Sequence, residues 1–293
     1  MLIKSKNFSA GELHKFRKFQ SLSFDILENT AYAIEAGETE REVARDLFRA
    51  YRKAGVKSFF HLPVVLFGSR TALPGDWKFR NFFPRPRRLV EGDSVILDAS
   101  PIFNGYMVDT SYSFCFGASK AHAKMMRNLS KFRTQILDAV NAKESFQSIA
   151  EDVADDICKM GYEPAHTKHP GEVLGHRAVK TANLPGKFRI RGSDGLALGW
   201  FILRGKMIDA GWSKKPALWN ESEDSDHSAQ DGLWLVEPHA GAGEIGAKWE
   251  EIMIIQNGRA RWLQRRPPHV RQWVNIQNGL SYGPEKQEIK IRR

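Results

Sequence analysis

Cysteine is nearly absent from this chain: Cys115 and Cys158 are the two in 293 residues. Both sit in apolar periodic segments, away from any second cysteine or histidine. That excludes a disulfide-stapled scaffold and a cysteine-rich zinc module, and reads as two buried, reduced thiols. No run of ~18 apolar residues occurs, so no membrane-spanning helix is expected. The opening stretch MLIKSKNFSAGELHKFRKFQ lacks the apolar core of a secretory signal, and a cytoplasmic protein is the expectation. Low-complexity segments are missing as well. So is any zinc-finger or RNA-binding motif to go with the positive charge, which amounts to +10 from 44 Lys and Arg against 34 Asp and Glu. The basic clusters at Arg85–Arg88, Arg261–Arg266 and 286–293 therefore read as solvated surface, and nucleic acid is not expected as a partner.

What is present is a large apolar fraction, 42% of residues, enough for a substantial core. Phe24, Leu27, Ala31 and Ile34 recur at helical spacing, and Gly37 ends the pattern. Thr39 and Glu42 make a capping box for a second helix whose stripe is Val43, Leu47 and Tyr51. A strand-like run, Phe59 to Phe67, and a Pro- and Arg-rich loop, about 74–92, follow. The second half repeats the order. Met125, Leu129, Phe132, Ile136 and Val140 form one helical stripe, and Phe146, Ile149, Val153, Ile157 and Met160 another. Strand-like runs at Leu233–Val236 and Glu251–Ile255 close it. The repetition is one of architecture, not of residue identity.

Each half contains a hairpin with two acids. In GDSVILDASPIFNGYMVDTSYSFCFG, Asp98 and Asp109 lie eleven residues apart, with Pro101, Asn104 and Gly105 supplying turn chemistry between them. In EPHAGAGEIGAKWEE, Glu237 and Glu250 lie thirteen apart. Carboxylates brought together in a half-buried sheet repel one another and are costly to bury as ions, and a cation between them relieves both. The alternative is that they only cap turns. With His176 added, four carboxylates and one imidazole form a hard, oxygen-rich set that suits pairs of Mn, Fe, Co or Zn better than a structural zinc.

These residues resemble a known family, the pita-bread metallopeptidases (methionine aminopeptidase, aminopeptidase P, prolidase). The Asp98/Asp109 segment looks like the stretch that supplies their first two metal ligands. LGHRAVK, with His176, resembles their Gly-His segment, and GLWLVEPHAG, with Glu237, their Glu-Pro motif. AKWEEIMIIQNG resembles their terminal motif, which places Glu250 ahead of Glu251 as ligand. The resemblance covers about residues 20–263. It implies an α+β pita-bread fold, with helices packed on a curved antiparallel sheet in a pseudo-twofold duplication. It implies an N-terminal extension over 1–20, one catalytic domain over 21–263 and a basic C-terminal extension over 264–293. It implies two divalent metal ions held by Asp98, Asp109, His176, Glu237 and Glu250, with Asp109 and Glu250 bridging. Glu237 and His176 become the catalytic residues, a peptide the substrate, and a second copy of the chain a candidate partner.

The match has departures. The histidine expected near FGSRTALPGDWKFRNF is replaced by Gly75, Asp76, Trp77 and Lys78. A second one falls on Asn183, which can donate a hydrogen bond to substrate but cannot titrate near neutrality. In GHRAV, bulkier residues than the usual glycines approach the site. His169 reads either as a substitute substrate-binding histidine or as an ordinary loop residue. His239 reads as lining the site, His227 as solvated, and His61 as core or near-wall. Trp200, Trp212 and Trp219, in the insert-rich 186–230 region, read as a substrate wall or as plain packing. Two functions follow from this set: a dinuclear exopeptidase cleaving an N-terminal or Xaa-Pro bond, or a metal-retaining, weakly active or inactive relative that binds a peptide or partner.

Overall fold

The computed structural model describes residues 3–181 and 217–279. The readings for Asn183, Trp200, Trp212 and the tail 286–293 lie outside the described residues. A short strand β1 (Ile3–Lys4) precedes helices α1 (Ala10–Ala33) and α2 (Glu40–Lys53). Each helix opens on a reciprocal capping box, Ser9 with Glu12 and Thr39 with Glu42. The first box starts α1 at Ala10, well ahead of the apolar stripe that begins at Phe24 and within the stretch read as an N-terminal extension. Phe16 and Gln20 on that added length are fully buried.

Strands β2 (Ser58–Phe59), β3 (Val64–Phe67), β4 (Ser94–Ala99), β5 (Pro101–Phe103), β6 (Tyr106–Met107) and β7 (Thr110–Cys115) complete the first half. The second half runs α3 (Lys120–Ser130), α4 (Phe132–Ala142), α5 (Phe146–Lys159), β8 (Glu163–Pro164), β9 (Gly175–Ala178), β10 (Lys180–Thr181) and β11 (Leu218–Trp219). It ends with β12 (Gly232–Val236), β13 (His239–Ala242), β14 (Ile245–Lys248), β15 (Glu251–Gln256), β16 (Arg259–Trp262) and α6 (Pro268–Gln277). The stripe read as one helix over 125–140 is two, α3 and α4, joined at Lys131, which keeps right-handed helical angles. The apolar face continues across the break, so spacing alone does not reveal it.

Antiparallel pairing puts β4 between β3 and β7, and β12 between β9 and β15. Each half is therefore a group of helices, two in the first and three in the second, followed by a long hairpin. The base strands are β4/β7 and β12/β15, and the tips are β5/β6 and β13/β14. At the first tip Asn104 and Gly105 have φ of 50° and 87°, and Phe103 pairs with Tyr106 across them. That is the primed two-residue turn that matches strand twist. A bridge between Ser111 and Glu250 joins the two hairpin bases.

Two apolar cores flank the joined sheets. One gathers α1 and α2 over β3 and β4, and the other gathers α3, α4 and α5 over β12 and β15. Trp219 belongs to the second core, stacked on Phe146 with centroids 3.9 Å apart, which settles it as packing. Residues 268–277, read as part of a basic surface extension, form α6 and bury Trp273 and Ile276 against Trp249. Cys115 is buried, and burial with the nearby Glu91 and Asp93 pushes its thiol up to about 11. Cys158 is exposed, contrary to expectation, because it falls on the outer face of α5. No helix among the described residues is long and apolar enough to cross a membrane.

One buried acid fixes the Pro- and Arg-rich segment. Glu40, fully buried at the start of α2, accepts from the Phe67 N–H at 2.9 Å, Arg70 Nε at 2.8 Å and the Arg85 N–H at 2.8 Å. Burial keeps its carboxyl above the usual range even with Arg70 opposing. Removing one partner of a buried ion pair leaves the other charge without compensation. Glu40→Ala is expected to lower the unfolding free energy by about 3–5 kcal/mol, with Glu40→Gln milder. Urea titration checks this, and a loss below about 1 kcal/mol would show that the carboxylate does not hold the segment.

Candidate metal centre

The five expected ligands come from both halves of the fold. Asp98 sits on β4 opposite Ser111, and Asp109 lies one residue before β7. His176 is on β9 opposite Leu235 of β12. Glu237 leaves β12, its N–H bonded to the Leu174 carbonyl at 2.8 Å, and Glu250 separates β14 from β15. All five are 8% exposed or less. A Cβ at Gly175 would collide with the Leu235 carbonyl, so the glycine lets β9 lie close enough to carry His176 inward. Arg177, the bulky residue that replaces a family glycine, turns away. It donates to the Asp231 carbonyl at 2.7 Å and lies 4.1 Å over the Trp234 ring.

Two triads of donor atoms emerge, each within 4.8 Å: Asp109, His176 and Glu250, and His61, Asp98 and Asp109. Asp109 belongs to both. Glu237 joins neither triad but stands beside them. Asp98 Oδ1, Asp109 Oδ1 and both oxygens of Glu250 are buried without a hydrogen-bond partner. Burial and the neighbouring Asp109 raise the Glu250 carboxyl well above its usual range. Buried acceptors left in this state are costly unless a cation meets them. Carboxylate oxygens with imidazole nitrogens suit a divalent metal, so the donor set fits one. The neighbouring Glu251 is engaged elsewhere, accepting from Arg133 at 2.6 Å and His269 at 2.9 Å.

One cation is already built in. Lys248 Nζ donates to Asp98 Oδ2 at 2.7 Å and Glu237 Oε2 at 2.9 Å, and lies 3.2 Å from Glu250 Oε2. Burial alone would favour the neutral amine, but the surrounding carboxylates hold the ammonium well above its usual range. Its backbone is pinned by Ser113, whose hydroxyl donates to the Lys248 carbonyl at 2.7 Å and accepts its N–H at 2.9 Å. Sequence reasoning passed over this residue. The signal was available: Lys248 precedes Glu250 by two, and alternate residues of an extended strand share a face.

Comparison with known proteins decides the family. The profile of metallopeptidase family M24 matches residues 14–189, more than half of the chain. This chain belongs to that family. An uncharacterized peptidase of Staphylococcus haemolyticus is 27% identical over 56% of this chain, and another of Staphylococcus aureus is 26% identical over 58%. The chain spans about half the length of these curated relatives, 45% and 44%. Among solved structures, a dipeptidase of Pyrococcus horikoshii has a TM-score of 0.63 at 17% identity, covering 89% of this chain and 61% of that one. An X-Pro aminopeptidase of Thermotoga maritima has 0.63 at 18%, covering 91% and 63%. A methionine aminopeptidase of Rickettsia prowazekii has 0.55 at 12%, covering 89% and 99%. The fold is thus the pita-bread fold, α+β as expected.

Beside these carboxylates, two histidines form a chain that sequence spacing only hinted at. The Thr71 carbonyl faces His239 Nε2 at 2.7 Å, and burial together with the charges of His169 and Lys248 keeps His239 neutral, well below its usual value. His239 Nε2–H therefore donates to Thr71, and its Nδ1 accepts from His169 Nε2 at 3.0 Å. His169 Nδ1–H donates to Glu237 Oε2 at 2.9 Å. Burial opposes ionisation of Glu237, but Lys248 and His169 outweigh it and hold the carboxyl well below its usual range. Thr71 can approach because Gly246 leaves room for its backbone and Gly241 for that of Ala72. His166 is buried behind this chain, and burial lowers its imidazole to about 4. His227 lies apart, against Phe146. His61, read as core or near-wall, instead meets both aspartates, with Nε2 3.2 Å from Asp109 Oδ2 and 3.6 Å from Asp98 Oδ1. Burial works against its charge, but Asp109 and then Asp98 raise it to about 10.

Lys248→Met tests the built-in cation. In EDTA the variant is expected to lose about 3–5 kcal/mol, because three carboxylates lose their ammonium, and Mn or Zn should recover part of it. Thermal unfolding with and without metal measures both effects. An unchanged midpoint in EDTA would show that the lysine does not compensate the cluster.

Proposed function

We propose that this chain is a metal-dependent exopeptidase that cleaves an N-terminal or Xaa-Pro peptide bond. The observation that carries the reading is the set of buried, unpartnered oxygens of Asp98, Asp109 and Glu250 beside His176, at the junction of the two hairpins. Asp98, Asp109, His176, Glu237 and Glu250 would hold two divalent ions drawn from Mn, Co, Fe or Zn, with Asp109 and Glu250 shared. Such ions polarise a scissile carbonyl and lower the pKa of an attacking water.

The chain's own groups then manage the proton and the substrate. Glu237, kept ionised by Lys248 and His169, accepts a proton from the water at its carboxylate and returns it to the leaving amine. His169, held in turn by His239 and the Thr71 carbonyl, orients the Glu237 carboxylate for this transfer. The peptidase descriptions of the curated relatives, and the dipeptidase and X-Pro aminopeptidase among the structural neighbours, support this substrate class.

Protein purified without chelator is expected to carry divalent metal and, with added Mn or Co, to release proline from Xaa-Pro dipeptides. Asp109→Ala should lose bound metal and roughly a thousandfold of kcat/KM, the several kcal/mol that metal polarisation supplies. Retention of the full metal content in that variant would remove Asp109 from the bridging role. Stoichiometric metal in the wild type with no turnover of any peptide would favour the peptide-binding alternative.

A further inference from the structure

None of the motifs that carry the family resemblance reaches residue 61, yet His61 lies as close to the carboxylates as His176 does. Its placement is built. The Phe60 N–H donates to the Ser100 carbonyl at 2.8 Å, which anchors the segment between β2 and β3 beside β4. The Phe60 ring stacks on His176, centroids 5.2 Å apart and 15° between planes, so the two imidazoles flank one aromatic spacer. His61 and His176 then approach the same oxygen, Asp109 Oδ2, at 3.2 and 3.6 Å through Nε2.

The other ring nitrogen of each histidine faces a backbone carbonyl: Leu62 at 2.9 Å from His61 Nδ1, and Arg177 at 3.3 Å from His176 Nδ1. A carbonyl only accepts, so Nδ1 carries the hydrogen and Nε2 is the nitrogen left to face the carboxylates. A ring nitrogen that close to a carboxylate oxygen needs a proton or a metal ion between them. This arrangement, Nδ1–H on a carbonyl and Nε2 toward a shared acid, is how metal-binding histidines are held. Lys248 adds a reason for a further ligand. It occupies Asp98 Oδ2 and Glu237 Oε2 and stands against Glu250 Oε2, which leaves the Asp98 end with Asp98 Oδ1 and Asp109 as its nearest donors. His61 completes that end.

We propose that His61 is a metal ligand, giving the Asp98–Asp109 end of the centre an imidazole nitrogen in addition to the five expected ligands. The inference rests on the metal-dependent reading and adds a sixth residue to it.

The test turns on sign. His61→Phe keeps the ring volume and removes both nitrogens. If His61 is a ligand, calorimetric titration of the chelator-treated variant with Mn or Zn should show affinity at the weaker ion falling roughly tenfold or more. If His61 is only a cation paired with the aspartates, its removal leaves two carboxylates freer, and affinity should stay level or rise. Long-range nitrogen–proton NMR of histidine-labelled protein gives an independent readout. On adding Zn, the wild type should show two histidines with metal-bound Nε2, and His61→Phe one. Unchanged or tighter binding in the variant, with one metal-bound histidine in both proteins, would overturn the assignment and leave the metal-dependent reading intact. A wild type that binds neither metal would overturn both.

Discussion

Everything in this molecule is arranged around an excess of buried negative charge. Asp98, Asp109, Glu237 and Glu250 converge in an interior where each ion is costly, and a single ammonium, Lys248, meets three of them. What Lys248 does not reach defines the rest of the site. The oxygens it leaves without partners face His61 and His176, and the one it shares with His169 leads into the His169–His239–Thr71 chain. The hydrogen-bond pattern thus separates two regions. One is an oxygen-rich hollow suited to divalent metal, and the other is a histidine-lined wall suited to holding substrate and moving a proton.

The duplicated architecture explains how one chain brings so much charge together. Each hairpin can carry two acids at its base without burying them against each other. The expense arises only where the bases meet, at the Ser111–Glu250 bridge. The apolar cores on the outer faces, with Trp219, Trp234 and Trp249 fully buried in one and Phe24, Leu27 and Leu47 in the other, supply the burial that sustains an unfavourable centre. Glu40 performs a related task at the periphery, where one carboxylate organises the segment that positions Thr71.

Membership of metallopeptidase family M24 rests on the profile over residues 14–189, and the pita-bread fold on solved structures of low identity. Identity at that level carries the architecture and leaves individual roles to the residues of this chain. Here the residues diverge where the family reading is most specific. The expected substrate histidine is absent from Gly75–Lys78, and a buried lysine lies among the proposed ligands. His61 and His169 arrive from segments where the family motifs offer no guide. The charge of this carboxylate cluster is balanced in part by the chain's own lysine.

Much of this was legible in the chain. Turn residues and apolar runs marked the acid-bearing hairpins, and the order of the motifs marked the family. The motif order put Glu250 ahead of Glu251 as the expected ligand, and in the fold Glu251 answers Arg133 and His269. The early start of α1 was written in Ser9 and Glu12 but masked by the basic, weakly striped stretch His14–Lys18 that follows. Tertiary structure alone decided the partners of Lys248 and His61. A lone polar residue in an apolar run states that something must compensate it, not what or where. Compensation comes from side chains far away in sequence, 150 residues for Lys248 and Asp98, and the strand pairing that joins them is set by the whole fold.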